Sequence, residues 1–148
     1  MNKIDKEDAL DLFQHWLIDM PKAIERLMQR LPSEMQEKLD YSIESLDILE
    51  EYLLNQYASI QEIKQAPPDI LNGYAIYVGE TFRKVLADKT DREPNIWTIE
   101  LDRIDNIYFN MPTIKIGGYI GCPHYLVTAS LDRRQGNYIS TILKNKLD

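Results

Sequence analysis

The spacing of apolar residues in this chain predicts an α+β fold: a mostly helical N-terminal half, then a small antiparallel sheet, then one or two C-terminal helices. Residues 1–66 contain no glycine, and their apolar side chains recur every three to four positions, as on a helix. From Trp97 the period drops to two, with Trp97, Ile99 and Leu101 alternating with Thr98 and Glu100. The helical and extended segments fall in separate blocks, which distinguishes α+β from an alternating α/β chain. At 148 residues, the sequence is expected to form one globular domain that buries a core without disulfide staples.

Asp5 is the expected N-cap of a first helix that gathers Ala9, Leu12, Phe13, Trp16, Leu17 and Met20 on one side. Pro21 suits the first turn of a second helix, with Ile24, Leu27, Met28 and Leu31 as its stripe. Pro32 and Ser33 end that helix and open a short third one. Residues 42–57 are again helical through Leu46, Leu49, Leu53 and Tyr57, and Ser59 caps a single turn that ends near Gln65. Pro67-Pro68 breaks what precedes it.

The helix over about 68–88 collects Ile70, Leu71, Tyr74, Val78, Phe82, Val85 and Leu86 in an arc of roughly 160°, with Tyr77, Glu80 and Lys84 on the opposite side. Residues 88–95 read as a loop and 102–106 as a turn. Ile107–Met111 and Thr113–Ile116 read as an extended stretch interrupted by Pro112, followed by a flexible connection at Gly117, Gly118 and Gly121. Pro123 opens a helix through Arg133 that Gly136 ends from its C′ position. The β-type residues Tyr125–Thr128 leave a third strand as the alternative. Residues 138–146 form a last helix with Tyr138, Ile139, Ile142 and Leu143 inward.

Lys and Arg number 17 and Asp and Glu 24, a net charge of −7. All of the excess lies in residues 1–66, which hold 14 acids and 7 bases; the remaining residues hold 10 of each. A nucleic-acid binder needs a basic footprint, so no nucleic-acid partner is expected. No apolar run is long enough to span a membrane, and the charged start Met1–Asp8 lacks the apolar stretch of a signal peptide, which predicts a cytoplasmic protein. The acids are densest at Glu34, Glu37, Asp40, Glu44, Asp47, Glu50 and Glu51. They are expected to form a solvated surface, and their field would speed encounter with a basic protein partner.

The most distinctive string is Tyr77-Val78-Gly79-Glu80-Thr81-Phe82-Arg83. On a helix Glu80 and Arg83 pair across one turn. A mid-helix glycine costs about 1 kcal/mol against alanine, so a backbone or ring packed on Gly79 is expected to compensate. Glu80 and Arg83 either order the joint with the Trp97 strand or hold a ligand, and the structural role is the stronger reading. Cys122 and His124 sit at a helix start, where a thiolate is favoured, but no orienting group accompanies them, so a buried inert thiol is expected. His15 has Asp11 and Asp19 at i−4 and i+4, one helical face that by itself does not complete a metal sphere. Arg133 and Arg134 could clamp an anion or pair with nearby acids. The phosphate-loop, nucleophile-elbow and zinc-protease patterns are absent from the sequence, and no cofactor or metal is expected.

The Tyr77-x-Gly79-Glu80-x-x-Arg83 helix, the following Trp97 and Asp132-Arg133-Arg134-x-Gly136 resemble a group of small uncharacterised bacterial proteins over residues 46–143. That resemblance brings no activity with it. In size and acidity the chain is also similar to immunity proteins of bacterial toxin systems. The expected function is therefore a non-catalytic protein-binding domain of immunity or inhibitor type, meeting its partner through Glu44, Asp47, Glu50 and Glu51. The alternative is a small-ligand or enzyme site around Tyr77, Glu80 and Arg83, with Trp97 and His124 nearby.

Overall fold

Asp5 caps the first helix as expected: its carboxylate accepts the N–H groups of Glu7 and Asp8 at 3.0 and 3.3 Å. The computed structural model describes residues 5–87 and 95–147, and over these the architecture is α+β. In order the elements are α1 (Lys6–Arg30), α2 (Ser33–Gln36), α3 (Ile43–Gln56), α4 (Ile60–Gln65), α5 (Pro68–Val85), β1 (Asn95–Thr98), β2 (Thr113–Ile116), β3 (Tyr119–Gly121), α6 (Pro123–Arg133) and α7 (Tyr138–Leu147). All but one residue of the loop read at 88–95 lies outside the described residues.

Pro21 does not divide the first helical segment. It lies inside a single 25-residue helix, on the exposed side. Proline there removes one backbone bond and crowds the preceding turn, a cost of about 3 kcal/mol. Burial on both sides of it offsets that cost, because Phe13, Met20, Ala23 and Leu27 all pack into the core. Leu12 departs from the expected stripe and is 70% exposed.

Helix α5 is the centre of the molecule, contacting α1, α3, α4, α6 and β2. Seven consecutive residues, Gly73–Gly79, are buried, so the helix has no solvent face over two turns. Small residues make this possible: a Cβ on Gly73 would stand 3.3 Å from Leu27 Cβ, which lets α1 and α5 approach closely. Tyr77 is therefore not on a polar outer face. It is fully buried, and its hydroxyl lies 2.7 Å from Ser45 Oγ and accepts the Tyr41 N–H at 2.9 Å.

The sheet is antiparallel with order β1-β2-β3. Residues 107–111 turn rather than extend: Phe109 and Met111 donate to the carbonyls of Asn106 and Tyr108. The glycines at 117 and 118 form a tight hairpin, with Ile116 paired to Tyr119 and Gly117 at φ +55°. Strand β3 follows at Tyr119–Gly121, where a flexible connection is expected from the sequence. Residues 123–133 are helix, not strand, and the left-handed residue that ends it is Arg134 at φ +52°, ahead of Gly136.

Candidate functional site

Gly79 is where α5 meets the sheet. The indole of Trp97 lies on it so closely that a Cβ would fall 2.2 Å from Cη2 and 2.3 Å from Cζ2. The ring that offsets the glycine's cost is thus the one carried by β1. Trp97 Nε1 donates to Glu80 Oε2 at 2.9 Å, and Arg83 Nη1 donates to the same oxygen at 2.7 Å. Arg83 continues to the side chain and carbonyl of Asn95, each at 3.2 Å, and the Asn95 amide returns a bond to the Arg83 carbonyl at 3.1 Å. Glu80 and Arg83 are each about a third exposed (32% and 31%), and the pair locks helix to strand.

A second polar cluster lies on the other side of Trp97, whose ring meets Trp16 edge-on at 4.9 Å. Trp16 Nε1 donates to Asn72 Oδ1 at 2.6 Å, and His124 Nε2 stands 3.1 Å from the same oxygen. An indole N–H can only donate, so the Asn72 atom facing it is the carbonyl oxygen. His124 Nε2 must then carry the proton, and Nδ1 is the unprotonated nitrogen, buried with no partner among the described residues. Burial holds the imidazole neutral by lowering its pKa to about 4. Asn72 escapes a sequence reading because a single amide between apolar helical residues has no periodic signal. Cys122 is buried and burial pushes its thiol up, away from thiolate chemistry. Tyr77, with its hydroxyl bonded to Ser45 and Tyr41, does not join this cluster.

The acidic helix surface needs correction. Glu50 is 1% exposed, and its two carboxylate oxygens accept the N–H groups of Tyr138 and Ile139 at 3.1 and 3.0 Å. It caps the N-terminus of α7, whose own first turn has no acid. Asp47 accepts the hydroxyl of Ser140, the next residue in the same first turn of α7. Of the four acids expected at an interface, only Glu44 and Glu51 are exposed, together with Glu34, Glu37 and Asp40 nearby in sequence.

The arginines after α6 are also in use within the chain. Arg134 donates to the carbonyls of Leu54, Tyr57 and Ala58 at 2.7, 3.1 and 3.0 Å, closing the C-terminus of α3. Arg133 lies over the ring of Tyr138 at 5.7 Å. Among the described residues His15 pairs with Asp11, at 3.6 Å, while Asp19 goes to Arg26. Among the described residues no group of three His, Cys, Asp or Glu side chains could hold a metal. The main ion-pair network, unread in the sequence, joins α1 to the first turn of α5. Arg26 grips Asp69 with two bonds at 2.8 and 3.0 Å, Arg30 adds a third at 2.8 Å, and the Arg26 guanidinium holds the Asp69 carboxyl below the usual carboxylate range.

The outer face of the sheet carries exposed apolar residues. Ile96, Lys115 and Ile120 stand in one row across β1, β2 and β3, all exposed. Lys115 and Ile120 share a depression of about 190 Å³ with Thr98 and Tyr108. The Tyr108 ring lies 5.6 Å from Tyr125, whose hydroxyl donates to the Ile107 carbonyl. Ile96, Ile107, Ile120 and Tyr125 are 45, 74, 53 and 40% exposed, with Lys115 standing between Ile96 and Ile120. No helix among the described residues is long and apolar enough to cross a membrane. The chain matches no protein-family model, no curated protein and no solved structure.

Proposed function

We propose that this chain is a non-catalytic, cytoplasmic protein-binding domain of inhibitor or immunity type, and that its contact surface is the outer face of the sheet. The observation that carries this reading is the group of exposed apolar residues Ile96 and Ile120 on the sheet and Ile107 and Tyr125 beside it, with the Tyr108 ring 5.6 Å from Tyr125. Single exposed apolar residues are ordinary on a monomer, but a connected group with aromatic members marks a contact site. The exposed acids Glu34, Glu37, Asp40, Glu44 and Glu51 supply the long-range field toward a basic partner. Glu50 and Asp47 serve the fold and leave that task to these five.

The test uses the purified chain as bait, identifies a stoichiometric protein by mass spectrometry, and measures its affinity. Ile120→Glu is expected to weaken binding at least tenfold without changing the melting temperature. Glu44→Lys with Glu51→Lys is expected to slow association mainly at low salt. Affinity unchanged in Ile120→Glu overturns the assignment of this surface.

A further inference from the structure

We propose that the groove between α1, α5 and Tyr41 binds a primary aliphatic amine, with the ammonium on Glu80 and the alkyl chain along α1. This does not rest on the protein-binding reading, which concerns the other side of the joint. The groove has a volume of about 490 Å³. Leu17, Met20, Pro21 and Ile24 of α1 line it, together with Ile76, and Glu80 is the only charged group among the described residues of its lining. From Leu17 to Ile24 the helix advances about 10 Å at 1.5 Å per residue, room for an extended chain of six to eight carbons. An apolar trough with a single carboxylate is complementary to a cation on an aliphatic stem, the form in which long charged side chains themselves bury their methylenes.

Two further features make the site specific. Both bonds that Glu80 receives fall on Oε2, from Trp97 and from Arg83, and Oε1 takes none from a described residue. The carboxylate is therefore fixed in orientation with one oxygen available. Arg83, the cation already paired with Glu80, sits on Oε2 and reaches away to Asn95, and Lys84 is held elsewhere: its ammonium donates to the Asp40 carbonyl at 3.3 Å and stands over Tyr41 at 5.9 Å.

Tyr41 itself has φ +63°, a left-handed backbone that a bulky residue rarely adopts. Its N–H bond to the Tyr77 hydroxyl and its ring stacked at 4.7 Å on Tyr77 hold it there, and the ring becomes a wall of the groove. An apolar groove with one oriented carboxylate at its edge is the arrangement of a preformed binding site.

The probes are n-hexylammonium, hexanol and hexanoate, titrated separately while the methyl resonances of Leu17, Met20, Ile24 and Ile76 are followed by NMR. The expected order is hexylammonium at least tenfold tighter than hexanol, with hexanoate weakest, and saturable shifts confined to those methyls. Glu80→Gln, which keeps an acceptor for Trp97, should bring hexylammonium down to the level of hexanol. Because that change also touches the joint with β1, Ile24→Lys is the second variant. It places an ammonium in the groove from a half-buried position and should abolish amine binding in a protein whose dispersed NMR spectrum shows the fold retained. Equal affinities for amine and alcohol, no saturable shift with hexylammonium, or amine binding unchanged in Ile24→Lys would each overturn the proposal. None of these outcomes bears on the sheet face, whose test is the partner's affinity.

Discussion

Alanine is normally better than glycine in the middle of a helix by about 1 kcal/mol, yet at Gly79 the sign should reverse. A methyl group there would overlap the Trp97 ring, with 2.2 Å to the nearest atom, and that ring is held on its far side by Trp16 and at its nitrogen by Glu80. Overpacking of this kind costs about 1–3 kcal/mol. Gly79→Ala is expected to lower the urea midpoint, and Gly118→Ala, whose Cβ meets nothing within 4 Å, serves as the control. A Gly79→Ala protein as stable as the parent would mean that Trp97 is not held where it is described. This joint was readable in the sequence because its signal is local: a glycine out of place, an acid and a base three residues apart, and a tryptophan on the next extended segment. Tyr77, in the same string, was misplaced. A helical arc assumes one solvent side, and α5 is enclosed on all sides where Gly73, Ala75 and Gly79 admit its neighbours.

Helix α3 is tied at its middle to the start of α7 and at its C-terminal end to Arg134, and this changes what its acids do. Glu50 satisfies two backbone donors at the start of α7, while Arg134 satisfies three carbonyls at and just beyond the end of α3. Removing a buried acceptor from two N–H groups costs about 1–3 kcal/mol for each group left unpaired. Glu50→Lys is expected to unfold the chain or come close to it, since it also buries a positive charge at the positive end of a helix. Glu44→Lys with Glu51→Lys, both exposed, should stay within about 0.5 kcal/mol of the parent. Chemical denaturation of the two proteins separates these cases, and equal stability would show that Glu50 is not the α7 cap. Periodicity located α3, α4, α5 and α7 well because each has a clear stripe or cap. It failed where long-range packing decides the outcome. Burial on both flanks carries α1 through Pro21, pairing with β2 turns the glycine-bearing Tyr119–Gly121 into a strand, and a carboxylate that looks like surface charge in sequence is drawn inside by a helix 88 residues away.

For the molecule as a whole, His124 sets how stability responds to mild acid. Its proton-bearing Nε2 is committed to Asn72, its Nδ1 is buried, and burial lowers its pKa from an ordinary 6.5 to about 4. A folded pKa below the unfolded one means that the unfolded chain takes up the proton first. Above pH 6.5 both states are neutral and the histidine has no effect on the balance. Between pH 6.5 and 4 the unfolded state binds a proton that the folded state refuses, and stability falls by up to about 1.4 kcal/mol per pH unit. Asp69, held low by Arg26, acts in a different window: its contribution is present above the ordinary carboxylate value and is lost as pH drops below it. The other histidine, His15, is exposed beside Asp11 and lies outside the core. Urea denaturation at pH 7.5, 6.5, 5.5 and 4.5 should therefore show a flat upper range and a decline that begins near 6.5. In His124→Gln, which keeps a donor for Asn72, that early decline should disappear while the loss below pH 4 remains. An unchanged slope between pH 6.5 and 4.5 in the variant would mean that His124 can be protonated within the fold, and the Trp16–Asn72–His124 arrangement would need a different proton assignment.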